Sequence, residues 1–455
     1  MKFLPVFDGH FQPIYRVYQE YCKKVAQSGM ANAVAFCVER NDGYNYIFEF
    51  DAYKDGINDS QNIAIADRIV KTILWLVGGY KIYVAGSKVI FDHLKKAYSK
   101  DGARYFDADF MSNIYEKEFE VVYCGYDEIP PRKDCFMAIG GHLDGCRIGF
   151  DAGGSDRKVS AVVDGKAIYS EEVVWYPKLN TDPAYHYDEI KKAFQTAAQK
   201  MPKVDAIGVS SAGIYINNRI MAASLFLKVN KKDFREKVKT MYIDIAKEFG
   251  APLVVANDGD VTALAGSMGL KDNKVLGIAM GTSQAVGYIN SSGGLNGWLS
   301  ELAFVPVDFN KNAMIDEWSG DYGCGVKYFS QDGVIKLANA ANIEFDENLS
   351  PAQKLLIVQE RLEKGCQKAR QIFADIGIYL GHTLPYYAMF YDIKHVMILG
   401  RVTSGKGGEL ILQNAKQVLQ SQYKHLSNIN LFLPDEKLKR VGQSIAAASL
   451  VNIGE

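Results

Sequence analysis

The chain contains one local pattern twice: an apolar strand, a short polar turn with glycine, and a returning apolar strand. The first copy spans residues 147–163 around a turn at 151–156, and the second spans residues 275–289 around a turn at 280–284. Each copy predicts a β-hairpin with a polar, glycine-bearing tip. Because the pattern occurs twice, the sequence implies two structurally related halves.

The segment between the two copies alternates between strand and helix. Residues 206–209 and 253–256 are apolar runs of strand length, and a helical stretch covers about residues 231–249. Strands that alternate with helices are typical of a parallel α/β sheet. After the second copy, residues 395–399 predict a further strand that leads into a glycine-rich loop.

The first 145 residues or so have the character of a separate α/β module. Residues 33–38 and 46–50 predict a β-ribbon, because the Asp42-Gly43 step between them favours a hairpin turn. Residues 59–76 predict a helix. The predicted organisation has three parts: an N-terminal module of unassigned role (1–145), a first lobe (146–270) and a second lobe (271–455).

Charge and hydropathy exclude several classes of partner. The 52 Lys and Arg residues balance 53 Asp and Glu residues, so the chain has no global field for holding nucleic acid or an anionic membrane. No apolar stretch approaches the roughly 18 residues that a membrane helix needs. The seven cysteines are scattered and form no Cys-x-x-Cys pair, which favours reduced thiols. We therefore expect a cytoplasmic protein with no nucleic acid or membrane partner.

Three glycine-bearing turns each follow an apolar strand, and Asn257-Asp258 ends a strand between the first two. A single such turn is weak evidence, because hairpins need glycine for positive φ whether or not they hold a ligand. Together, the glycines let backbone N–H groups approach phosphate oxygens. Thr282 and Ser283 add hydroxyl donors without adding a charge that would repel the anion. The combination predicts a nucleotide cleft.

Five segments, in order, resemble those of the ROK family (repressor, open reading frame, kinase) of sugar kinases, within the hexokinase–actin–Hsp70 superfamily. These segments are residues 148–155, 254–265, 275–283, 297–301 and 396–403, and residues 438–450 resemble the closing helix of the family. The resemblance implies an α/β fold class: a duplicated actin-like ATPase (ribonuclease H-like) fold with a central cleft. To this fold the chain adds the N-terminal α/β module.

The resemblance also implies ligands and residue roles. It implies ATP and Mg²⁺ as cofactors and a small-molecule sugar as substrate. Asp258 is the implied catalytic base, and Asp151 is implied to hold Mg²⁺ through water. The implied ATP-binding residues are Gly153, Gly154, Ser155, Gly281, Thr282, Ser283 and Gly400. The implied substrate-binding residues are Asn257, Glu301, Ser211 and Gly213.

Each implied role has a structural alternative. A carboxylate at the carboxyl end of a strand can orient a sugar hydroxyl and take its proton, but Asp258 also precedes a helix, where aspartate commonly serves as a cap. Asp151 is equally suited to forming a turn. Ser211 and Gly213 fit a plain turn as well as a sugar site. A lone Glu301 would usually be a solvated surface residue.

Departures from the family bear on substrate and metal. A histidine follows the glutamate in family members, and the corresponding position here is Phe304. Only Gly323-Cys324 remains of the cysteine-rich zinc motif, and one cysteine cannot make a tetrahedral zinc site, so we predict no structural zinc. Asp156 would place a negative charge near phosphate, which Arg157 or Lys158 would offset.

The predicted function is ATP-dependent phosphorylation of a hydroxyl group on a hexose or related sugar. The alternative is a non-catalytic sugar-sensing regulator built on the kinase fold, motivated by Phe304 and Asp156. Dimerisation is an expectation that comes from the family alone. The residues leave open which sugar and which hydroxyl group are used.

Overall fold

A computed structural model describes residues 3–134, 139–435 and 442–454. The strands are β1 (Ala31–Glu39), β2 (Asn45–Tyr53), β3 (Lys81–Ala85), β4 (Glu120–Tyr123), β5 (Cys146–Ala152), β6 (Asp156–Val163), β7 (Lys166–Val174), β8 (Ala206–Ser211), β9 (Ile214–Ile216), β10 (Arg219–Ala222), β11 (Leu253–Asn257), β12 (Val275–Met280), β13 (Gln284–Ile289), β14 (His395–Leu399) and β15 (Asn430–Phe432). The helices are α1 (Ile14–Ser28), α2 (Asp59–Val77), α3 (Lys88–Ala97), α4 (Tyr105–Tyr115), α5 (Pro183–Ala198), α6 (Lys231–Asp233), α7 (Met241–Glu248), α8 (Asp258–Leu270), α9 (Gln331–Ala340), α10 (Pro351–Glu363), α11 (Gln367–Tyr387), α12 (Lys406–Gln422) and α13 (Gln443–Ala448). Of the helices in this described part, none is long and apolar enough to cross a membrane.

The N-terminal residues form a four-stranded sheet in the order β2-β1-β3-β4. The predicted ribbon is confirmed, since β1 and β2 pair antiparallel from Ala31 and Tyr53 to Glu39 and Asn45. Asp42 lies in the turn with φ of 60°, the left-handed region that the Asp-Gly step accommodates. The predicted helix at 59–76 is also confirmed as α2.

The first lobe contains a five-stranded sheet in the order β11-β8-β5-β6-β7. Strands β5, β8 and β11 run parallel, and β5 and β6 form the first predicted hairpin. Because the carboxyl ends of parallel strands meet at one edge, the residues that end these three strands lie together. The predicted helix at 231–249 is interrupted, because a π-helical turn at residues 234–238 separates α6 from α7.

The second lobe contains a four-stranded sheet in the order β13-β12-β14-β15, in which β12 and β13 form the second predicted hairpin. Helix α8 packs on both β12 and β13. Helix α13 returns to the first lobe, where Gly149 and Gly208 leave no space for a side chain against its backbone. The predicted closing helix at 438–450 is present as α13, and its residues 438–441 lie outside the described part of the chain.

The N-terminal module is joined to the second lobe by a buried group of ion pairs, called here the docking cluster. It consists of Arg68, Lys71 and Arg104 from the module, Asp67 beside them, and Asp321 from the second lobe. Asp321 accepts ion pairs from Arg68 at 2.9 Å, Lys71 at 2.8 Å and Arg104 at 2.7 Å. Charges buried away from water are stable only when paired, so this contact fixes how the module sits on the second lobe.

Candidate functional site

Two predicted site residues, Asp151 and Asn257, lie at the shared carboxyl edge of β5, β8 and β11. Asp151 is paired in register with Ser210, and Asn257 with Ser211. The Ser210 hydroxyl donates a hydrogen bond to Asp151 Oδ1 at 2.8 Å. Burial raises the pKa of Asp151 to about 6, with a further increase from the charge of Asp258. Asp151 is therefore an oriented carboxylate that is mostly ionised at neutral pH.

Helix α8 is capped by Asn257 and not by Asp258, for which capping was the structural alternative. Asn257 is the N-cap of α8, because its Oδ1 accepts a hydrogen bond from the backbone N–H of Gly259 at 2.7 Å. The Asn257 Nδ2 donates to the carbonyl oxygen of Gly213 at 2.7 Å, which joins two predicted substrate residues. Burial raises the pKa of Asp258, while backbone hydrogen bonds oppose that shift. Asp258 Oδ1 accepts from the same Gly259 N–H at the longer distance of 3.0 Å, so Asn257 makes the shorter capping bond.

Glu301 lies close enough to Asp258 and Asp260 for their charges to affect it. Burial, together with these two charges, raises the pKa of Glu301 to about 8. Burial also raises the pKa of Asp260 to about 7. The backbone N–H of Glu301 donates to the carbonyl oxygen of Trp75, near the end of α2, at 3.0 Å. The N-terminal module therefore positions the segment that carries Glu301.

The tip of the first hairpin carries Gly153, Gly154 and Ser155 and is supported from below by Trp175. The buried Trp175 indole donates through Nε1 to the carbonyl oxygen of Gly153 at 2.8 Å. Its backbone N–H donates to the carbonyl oxygen of Ser155 at 3.1 Å. Trp175 thus anchors the loop.

Of the two cations expected to offset Asp156, the structure places Lys158 near it and Arg157 elsewhere. Arg157 turns away and donates to Glu189 through Nε at 3.0 Å and Nη2 at 2.8 Å. Lys158 Nζ lies 3.9 Å from Asp156 Oδ1. Sequence reasoning missed Lys178, whose Nζ would lie 2.9 Å from a Cβ added to Gly154. Lys178 is a cation directly beside the tip, placed there by a turn that follows the returning strands.

The second tip and the loop after β14 lie against each other. Gly400 has φ of 97°, and a Cβ added to it would lie 2.5 Å from the carbonyl oxygen of Met280. A Cβ added to Gly281 would have its nearest neighbour at 3.8 Å, so packing does not require glycine there. Thr282 and Ser283 are exposed beside it. The structure brings these four predicted ATP-binding residues into one region.

A cavity of about 310 Å³ lies beside the carboxyl end of β11. Gly213 and Asn257 from the predicted sugar site line it, together with Arg40, Tyr44 and Tyr115 from the N-terminal module. Sequence reasoning missed these module residues, because no local motif connects them with β11. One wall of the cavity therefore comes from the lobes and another from the module.

Two further predicted residues lie outside the lining of this cavity. Ser211 is fully buried, and its hydroxyl oxygen accepts a hydrogen bond from the Tyr242 hydroxyl at 3.3 Å. Glu301 lies on the side of Asp258, the residue that directly follows the cavity residue Asn257. The cavity and the group of acids are therefore adjacent through the Asn257-Asp258 step.

The position of the family histidine has a packing role in this chain. The Phe304 ring stacks on Trp75 of α2, with ring centroids 4.1 Å apart. Among the described residues, no group of three or more His, Cys, Asp or Glu side chains is arranged to hold a metal ion. A magnesium ion at this site would therefore depend on Asp151, water and substrate phosphates, a ligand set that suits this cation.

Comparison with known proteins connects this arrangement to a family and a fold. The ROK family sequence model matches residues 147–439, more than half of the chain. Comparison with curated proteins finds no match. The predicted relationship to this family is confirmed.

Similar structures include a ROK family transcriptional regulator, a homolog of the E. coli MLC protein, with a TM-score of 0.53 and 17% identity over 68% of this chain and 79% of that one. The ROK hexokinase from Thermus thermophilus has a TM-score of 0.51 and 16% identity over 67% of this chain and 96% of that one. A ROK family protein from Streptococcus pneumoniae TIGR4, in complex with sucrose, has a TM-score of 0.50 and 9% identity over 66% of this chain and 96% of that one. At such identities the likeness shows the fold alone. The predicted fold class, a duplicated actin-like ATPase fold plus an N-terminal α/β module, is confirmed.

Proposed function

This chain belongs to the ROK family, and from that premise we propose that it is an ATP-dependent kinase that phosphorylates a hydroxyl group of a hexose or related sugar. The observation that carries the proposal is the division of labour at the start of α8. Asn257 caps the helix, and Asp258 accepts from the same Gly259 N–H through Oδ1 alone, at 3.0 Å, which leaves its Oδ2 available beside Asp151 and Glu301.

Asp258 is the proposed general base. Phosphoryl transfer needs an oriented acceptor hydroxyl and a group that takes its proton. The raised pKa of Asp258 brings its proton affinity nearer to neutral pH, where a carboxylate is a more effective base than at its ordinary pKa. Asn257 and Glu301 lie next to it and would hold the sugar by hydrogen bonds.

The nucleotide would bind on the side of the glycine-bearing tips. Backbone N–H groups at Gly153 and Gly154 suit phosphate oxygens, and Lys178 supplies a cation at the first tip. Asp151 would hold Mg²⁺, which neutralises charge on the phosphates when it is bound. Closure of the lobes would exclude water, whose hydroxyl group would otherwise compete with the sugar as acceptor.

A coupled assay of ADP release across hexoses, amino sugars and polyols tests the proposal. We expect Asp258→Asn to lower kcat by about 10²–10⁴-fold, the usual contribution of a general base, while the Kd for ATP changes little. Asp260→Asn removes a carboxyl group from the same helical turn and is expected to cost less. Retained turnover in Asp258→Asn would remove this residue from the mechanism.

A second candidate function, a non-catalytic sugar-sensing regulator, is favoured by one feature. Phe304 occupies the position of the family histidine and packs on the N-terminal module, so the module contacts the segment that carries Glu301. A sugar bound near Glu301 would then be sensed directly by the module. Sugar binding without ADP release from any acceptor would select this function over the kinase.

A further inference from the structure

Arg40 of the N-terminal module is a buried cation in the wall of the cavity that contains Asn257 and Gly213. It follows β1 directly, and its backbone N–H donates to the carbonyl oxygen of Tyr44 at 2.7 Å. Its side chain is held from the other direction, because Nη1 donates to the carbonyl oxygen of Gly297 at 2.5 Å. Arg40 thus bonds to backbone carbonyl oxygens through its own N–H and through one nitrogen of its guanidinium.

Among the described residues the guanidinium of Arg40 has no charged partner, and its Cζ lies 5.8 Å from the centre of the Tyr44 ring. The residue is 5% exposed, and its Nε and Nη2 atoms are buried with no hydrogen-bond partner in the described part of the chain. The adjacent acid, Glu39, is already used by the hydroxyl groups of Tyr80 at 3.0 Å and Tyr83 at 2.8 Å. The carboxylate of Glu39 therefore does not serve as a counter-charge for Arg40.

Two carboxyl groups, those of Asp42 and Asp260, also line the cavity. Neither Asp42 nor Asp260 lies within ion-pair distance, 4.0 Å, of Arg40 in the described coordinates. Asp42 is exposed to solvent. Asp260 accepts a hydrogen bond from the backbone N–H of Tyr288 at 3.4 Å, and burial raises the pKa of its carboxyl group to about 7. Both acids remain separate from the guanidinium.

A buried guanidinium with two unused nitrogens is costly, because it has lost its hydration and gained no counter-charge. Its Nε and Nη2 atoms form the planar edge that binds two oxygen atoms of a carboxylate or phosphate side by side. A neutral sugar hydroxyl would satisfy at most part of this edge. Nε and Nη2 are covered in the structure, so an anionic group with paired oxygen atoms would satisfy this edge once the Arg40 side chain turns toward the cavity that it lines.

We propose that the acceptor is a sugar with an anionic group, a carboxylate or a phosphate, and that Arg40 binds this group. The inference rests on the proposed kinase function, since it assigns the substrate class of that site. The reacting hydroxyl would lie toward Asp258 and the anionic group toward Arg40, on either side of Asn257. The N-terminal module would thereby supply substrate selectivity that the two lobes lack by themselves.

Calorimetric titration and the ADP-release assay, with four probes, test this inference. The probes are glucose, glucuronate, gluconate and glucose 6-phosphate, so that the carboxylate and phosphate sources are compared directly. We expect at least one anionic probe to bind more tightly than glucose. Arg40→Gln should lower the ratio of anionic to neutral affinity by about 30- to 100-fold, as expected for charge-assisted hydrogen bonds.

Three further variants make the result interpretable. Arg132→Gln removes an exposed arginine from the same module and should leave this ratio unchanged. Arg40→Lys keeps the charge without the planar edge, so an intermediate loss is expected, and it serves as the test if Arg40→Gln fails to fold. Asp42→Asn removes a negative charge from the cavity wall, where it repels the anionic probe, and should strengthen binding of that probe by a few fold.

The outcomes separate this inference from the kinase proposal. The inference would be overturned if glucose bound as tightly as every anionic probe, or if Arg40→Gln left the ratio of anionic to neutral affinity unchanged. ADP release from glucose in that case would still support the kinase function. Anion binding that depends on Arg40, with no ADP release from any probe, would keep the inference as a binding property and remove the kinase. Preference for glucose 6-phosphate alone would assign the anionic group as phosphate.

Discussion

The proposed nucleotide side of the cleft consists of hairpin tips with exposed glycine and hydroxyl groups, whereas the proposed acceptor side consists of buried and half-buried side chains from distant parts of the chain. Gly154, Thr282 and Ser283 are exposed. On the acceptor side, Glu301 is positioned by Trp75, and the cavity is lined by both Arg40 and Asn257. Local hairpins build the first side, and docking of the module builds the second.

This difference predicts that the two sides respond differently to mutation. A change at a tip should alter ligand affinity with little effect on folding, because few packing contacts depend on it. A change at the module contact should alter stability and acceptor binding together. The predictions below test this contrast.

The largest effect is expected for Asp321→Asn in the docking cluster. The substitution leaves Arg68, Lys71 and Arg104 short of a shared buried counter-charge, and loss of one partner from a buried pair typically costs about 3–5 kcal/mol. The free energy of unfolding, measured in urea, should fall by that amount. Binding of the sugar should weaken more than binding of ATP.

The matched control is Asp244→Asn, which removes a partly exposed aspartate from α7 that pairs with Lys247. Its unfolding midpoint should stay close to that of the wild type, since exposed pairs contribute little. If Asp321→Asn behaves like this control, then the docking cluster does not hold the module in place and the contrast between the two sides is lost.

An intermediate effect is expected for Lys178→Met at the first tip. Removing an exposed cation beside Gly154 should raise KM for ATP by about 10-fold with little change in melting temperature, and the effect should shrink at high salt. Lys166→Met, an exposed lysine at the far end of β7, is the control. A change in KM for the sugar, with KM for ATP unaffected, would contradict the assignment of this tip to phosphate.

The smallest effect is expected in the pH dependence of stability. The pKa of Glu301 is about 8 in the folded chain against an ordinary value of 4.5, so the folded state binds more protons between these values. Stability contributed by this group is therefore present at low pH and falls as the pH rises toward about 8. Glu301→Gln should reduce the fall in Tm between pH 6 and pH 8.5 by about 2–4 °C.

Scanning calorimetry at several pH values checks this expectation. Asp151, Asp258 and Asp260 remain in the variant and have raised pKa values with the same sign, so the wild-type trend should weaken without vanishing. An identical pH profile for wild type and Glu301→Gln would show that Glu301 is not held among these acids, which would separate it from the acceptor side.

Much of the fold followed from local patterns. The two hairpins, the helix at 59–76 and the strand that ends at Asn257 were predicted from periodicity and turn residues, and the structure contains them. The helix at 231–249 was predicted as one element, but Lys239 bonds back to Phe234 in a wider turn and divides it. Such a turn depends on packing around the helix, so its sequence carries no clear signal.

The candidate site followed from sequence only in part. Asn257-Asp258 and the glycine-bearing tips were recognisable because each is a short segment whose chemistry and conformation are local. Only the hydrogen bonds show that Asn257 makes the shorter capping bond and that Asp258 uses one oxygen there, which leaves its Oδ2 available. Lys178 was missed because its position depends on the turn after β7.

The sequence by itself determined the strand and turn units, the order of the family segments and the residue types available for chemistry, because these depend on neighbours along the chain. Only the tertiary structure decided that Arg40 shares a cavity with Asn257 and that Trp75 holds Glu301. These contacts join residues far apart in sequence. They form only when the N-terminal module packs on the second lobe, where Arg104 pairs with Asp321 and Trp75 stacks on Phe304.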